Sequence, residues 1–412
     1  MIKTIRAVNE LRNVTHSSLN LQVRKVAVIL TSPRSGSTLL KSVLASHPDI
    51  ATLDGEITPF LTLTNNGFGF NSDSDAINSF SNLDTLADNT LDDLTVAAKE
   101  IPDSGFLRKK WEKRLLLQFP SLFSDSQQHL DLMDSLDEAL DEFKAGSGKD
   151  EFALQEIMLT KVFRRTPWRM AYYDGRKDTA GAVCFNEKIK LEEPPFVLPG
   201  LYRRQFTGQD ALEKTLLFKS PPDVYRVGMY EQLFPNAKIK YIHLTRGYAQ
   251  SVNGLMDGWL SPIGFFSLDC SQVDVQLAIE GYSNVVDFGE KWWKFDLPPN
   301  WKEFTRARLE NVCLNQWLSA HQTVLDSGVK TLRVTFEEFL LRPIDVIIKI
   351  TEYLGLSKMQ SLPEFRPMMA TETPKLKRWE KRKNLLTNLG TDPKVITMMA
   401  ALDYSMAPET WI

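Results

Sequence analysis

Residues 31–38 read Thr-Ser-Pro-Arg-Ser-Gly-Ser-Thr, a short turn whose side chains are suited to holding an anion. An apolar run, Val26-Ala-Val-Ile-Leu30, empties into it, and an apolar helical pattern begins at Ser37. A strand ending at Leu30 and a helix opening at Ser37 leave the first N–H groups of that helix, and its positive dipole end, facing the turn. That is the arrangement in which a phosphate is cradled. The turn departs from the triphosphate loop G-x-x-x-x-G-K-[ST], because Thr31 stands where the first glycine belongs and Ser37 where the lysine belongs. Arg34 is the only cation within it.

The elements that must position these residues follow from the rest of the chain. Its 412 residues are 43% apolar, enough for a core around one large sheet. Residues 1–22 are polar and irregular and read as a peripheral arm, leaving 23–412 as a single domain. Ile50 to Leu53 is a candidate second strand. Residues 65–160 read as a largely helical insertion over one sheet edge, with apolar spacing at Leu107–Leu117 and Leu130–Phe143. Four turn-formers in Leu191–Gly200, three prolines and a glycine, exclude regular structure there. Strands are expected at Lys214–Lys219, Ala237–Thr245 and Lys330–Thr335. Helices are expected at Pro222–Phe234, Ala249–Trp259, Arg308–Ser327 and Pro343–Leu354. Strands alternating with helices predict an α/β fold whose central sheet is parallel, with ligands outside the carboxyl ends of its strands.

Composition excludes several partners. The chain carries 49 Lys+Arg against 52 Asp+Glu, so no bulk charge favours nucleic acid or an acidic membrane. Cys184, Cys270 and Cys313 lie far apart, which favours neither a disulfide framework nor a metal site and suits a reducing compartment. No run approaches the ~18 apolar residues of a spanning helix, and no basic-then-apolar leader opens the chain. The expectation is a cytoplasmic protein.

Three stretches together are similar to one family. Pro33-Arg-Ser-Gly-Ser-Thr-Leu39 resembles the phosphosulfate-binding loop of sulfotransferases that use 3′-phosphoadenosine 5′-phosphosulfate (PAPS). Leu216-Leu-Phe-Lys-Ser-Pro-Pro222 with Leu233-Phe-Pro-Asn-Ala-Lys through Thr245-Arg246 resembles the family's strand-end lysine, turn and strand-end arginine. Thr331 to Gly355 resembles its later strand and helix block, and the basic run Lys375–Lys383 its adenosine 3′-phosphate clamp. The resemblance spans roughly 26–60, 214–260 and 305–405.

It implies a donor site built from Arg34, Ser35, Gly36, Ser37, Thr38 and Leu39, with Arg246 gripping the 3′-phosphate and Arg378, Trp379, Lys381 and Arg382 closing over it. It also implies that Lys219 and Arg34 offset charge on the oxygen between sulfur and phosphorus. The family's serine eight residues after the arginine is absent, because Gly254 stands there; Ser251, one helical turn earlier, Asn253 and a backbone N–H exposed by Gly254 are the candidate substitutes. His47-Pro-Asp followed by Gly55-Glu56 resembles the tyrosylprotein and carbohydrate sulfotransferases, implying Glu56 as the base, with Asp54 as fallback. Shielding by Leu53, Ile57 and Phe60 would raise the pKa of Glu56. His47 and His243 read as structural.

The sequence therefore reads as a metal-independent sulfotransferase moving a sulfuryl group from PAPS, which leaves as 3′-phosphoadenosine 5′-phosphate (PAP), to the hydroxyl or amine of a small secondary metabolite. Two other readings stay open at this stage, a P-loop kinase or other NTPase and a nonenzymatic PAP-binding module. Trp259, Phe265, Phe266, Trp292, Trp293 and Trp301 either line an acceptor pocket or form core.

Overall fold

The computed structural model describes residues 1–146, 148–174, 185–187, 189–359, 361–364 and 367–412; Cys184 lies outside them. Seven strands form the main sheet: β1 (Lys25–Leu30), β2 (Ile50–Thr52), β3 (Thr95–Ala97), β4 (Arg203–Gln205), β5 (Thr215–Lys219), β6 (Lys238–Thr245) and, after a separate hairpin of β7 (Phe266–Asp269) and β8 (Trp292–Lys294), β9 (Thr331–Thr335). The order is β4-β3-β2-β5-β1-β6-β9. Strands β2, β5, β1, β6 and β9 run parallel, as expected of an α/β protein, while β3 and β4 pair antiparallel at one edge. The sequence reading did not anticipate these two edge strands: β3 lies within the largely helical stretch 65–160 and β4 after it, and together they extend the sheet. Three residues each are too few to show a period of two.

Alternation along β1 explains its place. Val26, Val28 and Leu30 join one core cluster, Ala27 and Ile29 another on the opposite face, and all five are fully or almost fully buried. A strand covered on both faces reads as a continuous apolar run. Leu216 and Phe218 of β5 join the first cluster and Leu217 the second, repeating the pattern.

Register sets the height of the chemistry. Ile29 pairs with Lys219 and with Ile242, so the end of β5 and the turn after β1 lie at the same carboxyl edge. The chain leaves β1 toward β2 on one side and passes from β5 to β6 on the other, so a crevice opens at the carboxyl ends of the adjacent strands β5 and β1.

Two further expectations are corrected. Residues 1–22 are not irregular: Ile2–Arg12 is a helix whose Ile5 and Val8 enter the core and whose Arg12 is fully buried, its guanidinium donating to the Lys113 carbonyl at 3.2 Å. Pro222–Phe234 is not one helix but a 3₁₀ turn, Pro221–Tyr225, and a short helix, Met229–Leu233, since two prolines open it and Gly228 interrupts it. Cys270 and Cys313 are free and buried. No helix among the described residues is long and apolar enough to cross a membrane.

Candidate active site

The turn after β1 has the geometry its residues suggested. Arg34 and Gly36 both take positive φ, 64° and 80°, and the helix Ser37–Ala45 follows directly. Leu40 makes the first bond back, N–H to the Gly36 carbonyl at 3.2 Å. The N–H groups of Ser37, Thr38 and Leu39 therefore belong to the unpaired first turn. Ser35 is buried, its hydroxyl 2.7 Å from that of Ser32, so it shapes the turn from behind. Arg34, Gly36, Ser37, Thr38 and Leu39 line one end of a cavity of about 1300 Å³.

Glu56 and Lys219 meet in the same cavity. Lys219 donates to Glu56 Oε1 at 2.5 Å and the Ser220 hydroxyl donates to Oε2 at 2.8 Å. This corrects the expected pKa. Burial pushes the Glu56 carboxyl up, but the charge and hydrogen bond of Lys219, the Ser220 bond and the charge of Lys41 outweigh it, leaving the carboxyl below its ordinary value. The sequence could not show that the strand-end lysine of β5 would reach the turn after β2. Asp54 lies 3.2 Å from Lys110, also at the cavity wall.

Arg34 and Arg246 meet at the loop. Arg246, at the end of β6, donates to the Arg34 carbonyl at 2.9 Å and lies 5.0 Å from the centre of the Phe336 ring. Arg34 lies 4.9 Å from the Phe265 ring, and its guanidinium donates to the Met369 carbonyl at 2.6 Å. Its Nε is buried with no hydrogen-bond partner among the described residues. Burial first, then the charges of Arg246 and Arg378, bring the Arg34 guanidinium down to about 10. Burial likewise lowers Arg246.

The expected clamp is only partly in the cavity. Arg378 lines it, whereas Ser251, Gly254, Trp379, Lys381 and Arg382 do not. Asp257, on the helix Tyr248–Trp259, gathers Arg378 at 2.8 Å, Lys381 at 2.8 Å and Arg382 at 2.7 Å, and Glu372 takes Arg378 at 2.5 Å and Lys381 at 3.0 Å. Trp379 is core, donating its indole N–H to the Trp411 carbonyl at 3.2 Å. The Ser251 hydroxyl, fully buried, donates back to the Arg246 carbonyl at 3.4 Å, and Gly254 faces Arg34, where a Cβ would sit 3.4 Å from that of Arg34. Arg378, Lys381 and Arg382 are therefore paired with carboxylates of the protein itself.

The cavity also has aromatic lining. Phe265, Trp292 and Phe295 line it, while Trp259, Phe266, Trp293 and Trp301 are core, so the aromatic group divides between the two roles. Phe265 and Phe295 stack at 4.6 Å, both with positive φ. His243 and His321 form a buried pair, Nε2 to Nδ1 at 2.9 Å, and His47 is bonded to the Ser357 carbonyl at 3.0 Å, so neither sequence-flagged histidine points to catalysis.

Sequence reasoning missed Lys41, which also lines the cavity. Its signal was present: it lies four residues after Ser37, on the same face of the helix.

A family model described as "Sulfotransferase family" matches residues 27–256, more than half of the chain. Among solved structures, the sulfotransferase domain from the curacin biosynthetic pathway is similar at 14% identity over 93% of this chain and 99% of that one, with a TM-score of 0.37. A sulfotransferase from Alicyclobacillus acidocaldarius is similar at 12% identity over 93% and 97%, with a TM-score of 0.36. No curated protein matches the sequence.

Proposed function

The chain belongs to the sulfotransferase family, and from that premise we propose that it transfers a sulfuryl group from PAPS to the hydroxyl of a small metabolite. The observation that carries this reading is the shared cavity: the loop residues Ser37, Thr38 and Leu39, Arg34 and Arg246, the Lys219–Glu56 pair and the aromatic side chains Phe265, Trp292 and Phe295 all line it. At about 1300 Å³ it exceeds the roughly 300–1,000 Å³ of a pocket for one ligand, which supports donor and acceptor bound together.

The residues fit a donor that is an anion at two points. The buried, unpartnered Nε of Arg34 and the loop N–H groups suit the 5′-phosphosulfate, and Arg246, a permanently charged planar fork, suits the 3′-phosphate. PAPS supplies an activated sulfuryl group whose bond to phosphate oxygen breaks as the acceptor oxygen bonds to sulfur. Glu56 takes the acceptor's hydroxyl proton. Lys219 leaves Glu56 and turns to the oxygen left on the phosphate, where negative charge accumulates. That exchange also restores basicity to Glu56, since the charge of Lys219 is what holds it below its ordinary value. Arg34 shares the neutralisation from the loop, and the apolar walls exclude water that would otherwise take the sulfuryl group.

The test is calorimetry with PAP, AMP and ADP, followed by incubation with PAPS and a metabolite extract under mass spectrometry. Tighter binding of PAP than AMP and a product heavier by one sulfuryl group are expected. Equal affinity for PAP and AMP would remove the donor assignment.

A further inference from the structure

Lys41 has no role in the transfer described above, yet it is 8% exposed and lines the cavity. Its ammonium donates to the Asp54 carbonyl at 3.2 Å and the Gly55 carbonyl at 2.7 Å, the two peptide units immediately before Glu56. An ammonium has three donors. Two fasten this turn, and the third has no protein partner among the described residues.

The same turn is closed by a second cation. A Cβ on Gly55 would stand 2.1 Å from Arg114 Nη2, so the backbone lies directly against the guanidinium, which is itself paired with Glu192. The turn that presents Glu56 is thus bonded by one buried cation and packed against a second, from the helices Ser37–Ala45 and Ser104–Gln118. The charged groups around Lys41 are Lys219 from β5, Asp54 and Glu56 from the turn, Arg114 from the second helix, and Lys110 through its pair with Asp54. Burial first, then Lys219, brings the Lys41 ammonium down to about 7, with Asp54 and Glu56 acting the other way.

We infer that Lys41 is a positioning residue for Glu56, fixing the Asp54–Gly55 turn that presents the carboxylate and completing, with Lys219, a two-lysine cradle around it. When Lys219 turns to the donor, Lys41 remains to keep the carboxylate in place and ionised. This rests on the reading of Glu56 as the base.

The test is a carbon-13 NMR titration of the full chain carrying labelled lysine Cε and glutamate Cδ, with PAP calorimetry on the same samples. Loss of a signal in Lys41→Met or Lys41→Arg identifies Lys41, and loss in Glu56→Gln identifies Glu56. Removing the anion in Glu56→Gln should lower the Lys41 midpoint by about one unit or more, and removing the cation in Lys41→Met should raise the Glu56 midpoint similarly. Lys41→Arg should leave the Glu56 midpoint near that of the parent. Midpoints that ignore both substitutions while PAP still binds would overturn the inference. If Lys41→Met does not fold, the response of Lys41 to Glu56→Gln decides alone. Absence of PAP binding with coupled midpoints would instead overturn the donor reading.

Discussion

The ring of Phe336 occupies the space that a side chain on Gly36 would need: a Cβ there would stand 2.0 Å from Phe336 Cε2. The first residue after β9 thereby packs onto the loop after β1, while the same ring lies under Arg246. Gly36→Ala meets both this ring and a φ of 80°. It should cost at least ~1–2 kcal/mol of stability and abolish detectable PAP binding, checked by denaturant unfolding and calorimetry. Parent-like PAP affinity would show that the loop does not need its left-handed glycine.

Removing the proposed base should separate chemistry from binding. Glu56→Gln keeps the Ser220 contact and the cavity shape, so PAP affinity should hold while turnover falls by ~10²–10⁴-fold. Single-turnover kinetics with PAPS read this directly, and activity within a few-fold of the parent would move the role elsewhere.

The depressed pKa of Glu56 has a pH consequence with a definite sign. A carboxylate held below its ordinary value stays ionised as pH falls past that value, so the acid limb of kcat/KM for the free enzyme should lie below the usual glutamate range. Lys219→Met leaves burial unopposed by its largest counterforce and should move the limb upward, besides lowering kcat. A limb that does not shift in Lys219→Met would mean that the 2.5 Å contact does not govern the carboxylate.

The 3′-phosphate site gives opposite expectations for two residues named from sequence. Arg246→Met should abolish most of the preference for PAP over AMP, the loss of charged hydrogen bonds worth ~1.5–3 kcal/mol each. Ser251→Ala should change PAP affinity by less than about threefold, because its hydroxyl is buried on the Arg246 carbonyl rather than presented to the cavity. A large loss in Ser251→Ala would show that the serine turns toward the nucleotide on binding.

The buried His243–His321 pair should make stability fall in mild acid. Burial pushes His243 down to about 4 and His321 well below its ordinary value, so the unfolded chain binds more protons as pH drops below about 6.5. Stability should decline from about pH 6.5 toward 4 by up to about 1.4 kcal/mol per pH unit for each histidine, and urea midpoints measured across that range check it. A double replacement, His243→Leu with His321→Leu, should flatten the decline.

What the sequence by itself determined was local. An apolar run buried on both faces, a glycine at a left-handed turn and a helix opening at a serine are consecutive residues, and their physics is written in order; the loop, β1, β5, β6 and the helix Pro343–Leu354 follow from it. Arg34, Lys219, Glu56 and Arg246 could be named because the short stretches that hold them resemble those of one family. What only the tertiary structure decided were relationships between residues far apart in the chain. The contact between Lys219 and Glu56 spans 163 positions and reverses the expected direction of the carboxyl's pKa. The cations of 378–382 meet Asp257 more than 120 positions away, and the ring that closes over Gly36 arrives from position 336. Charge interactions and steric exclusion depend on distance in space, which the strand order β4-β3-β2-β5-β1-β6-β9 sets and residue spacing along the chain does not.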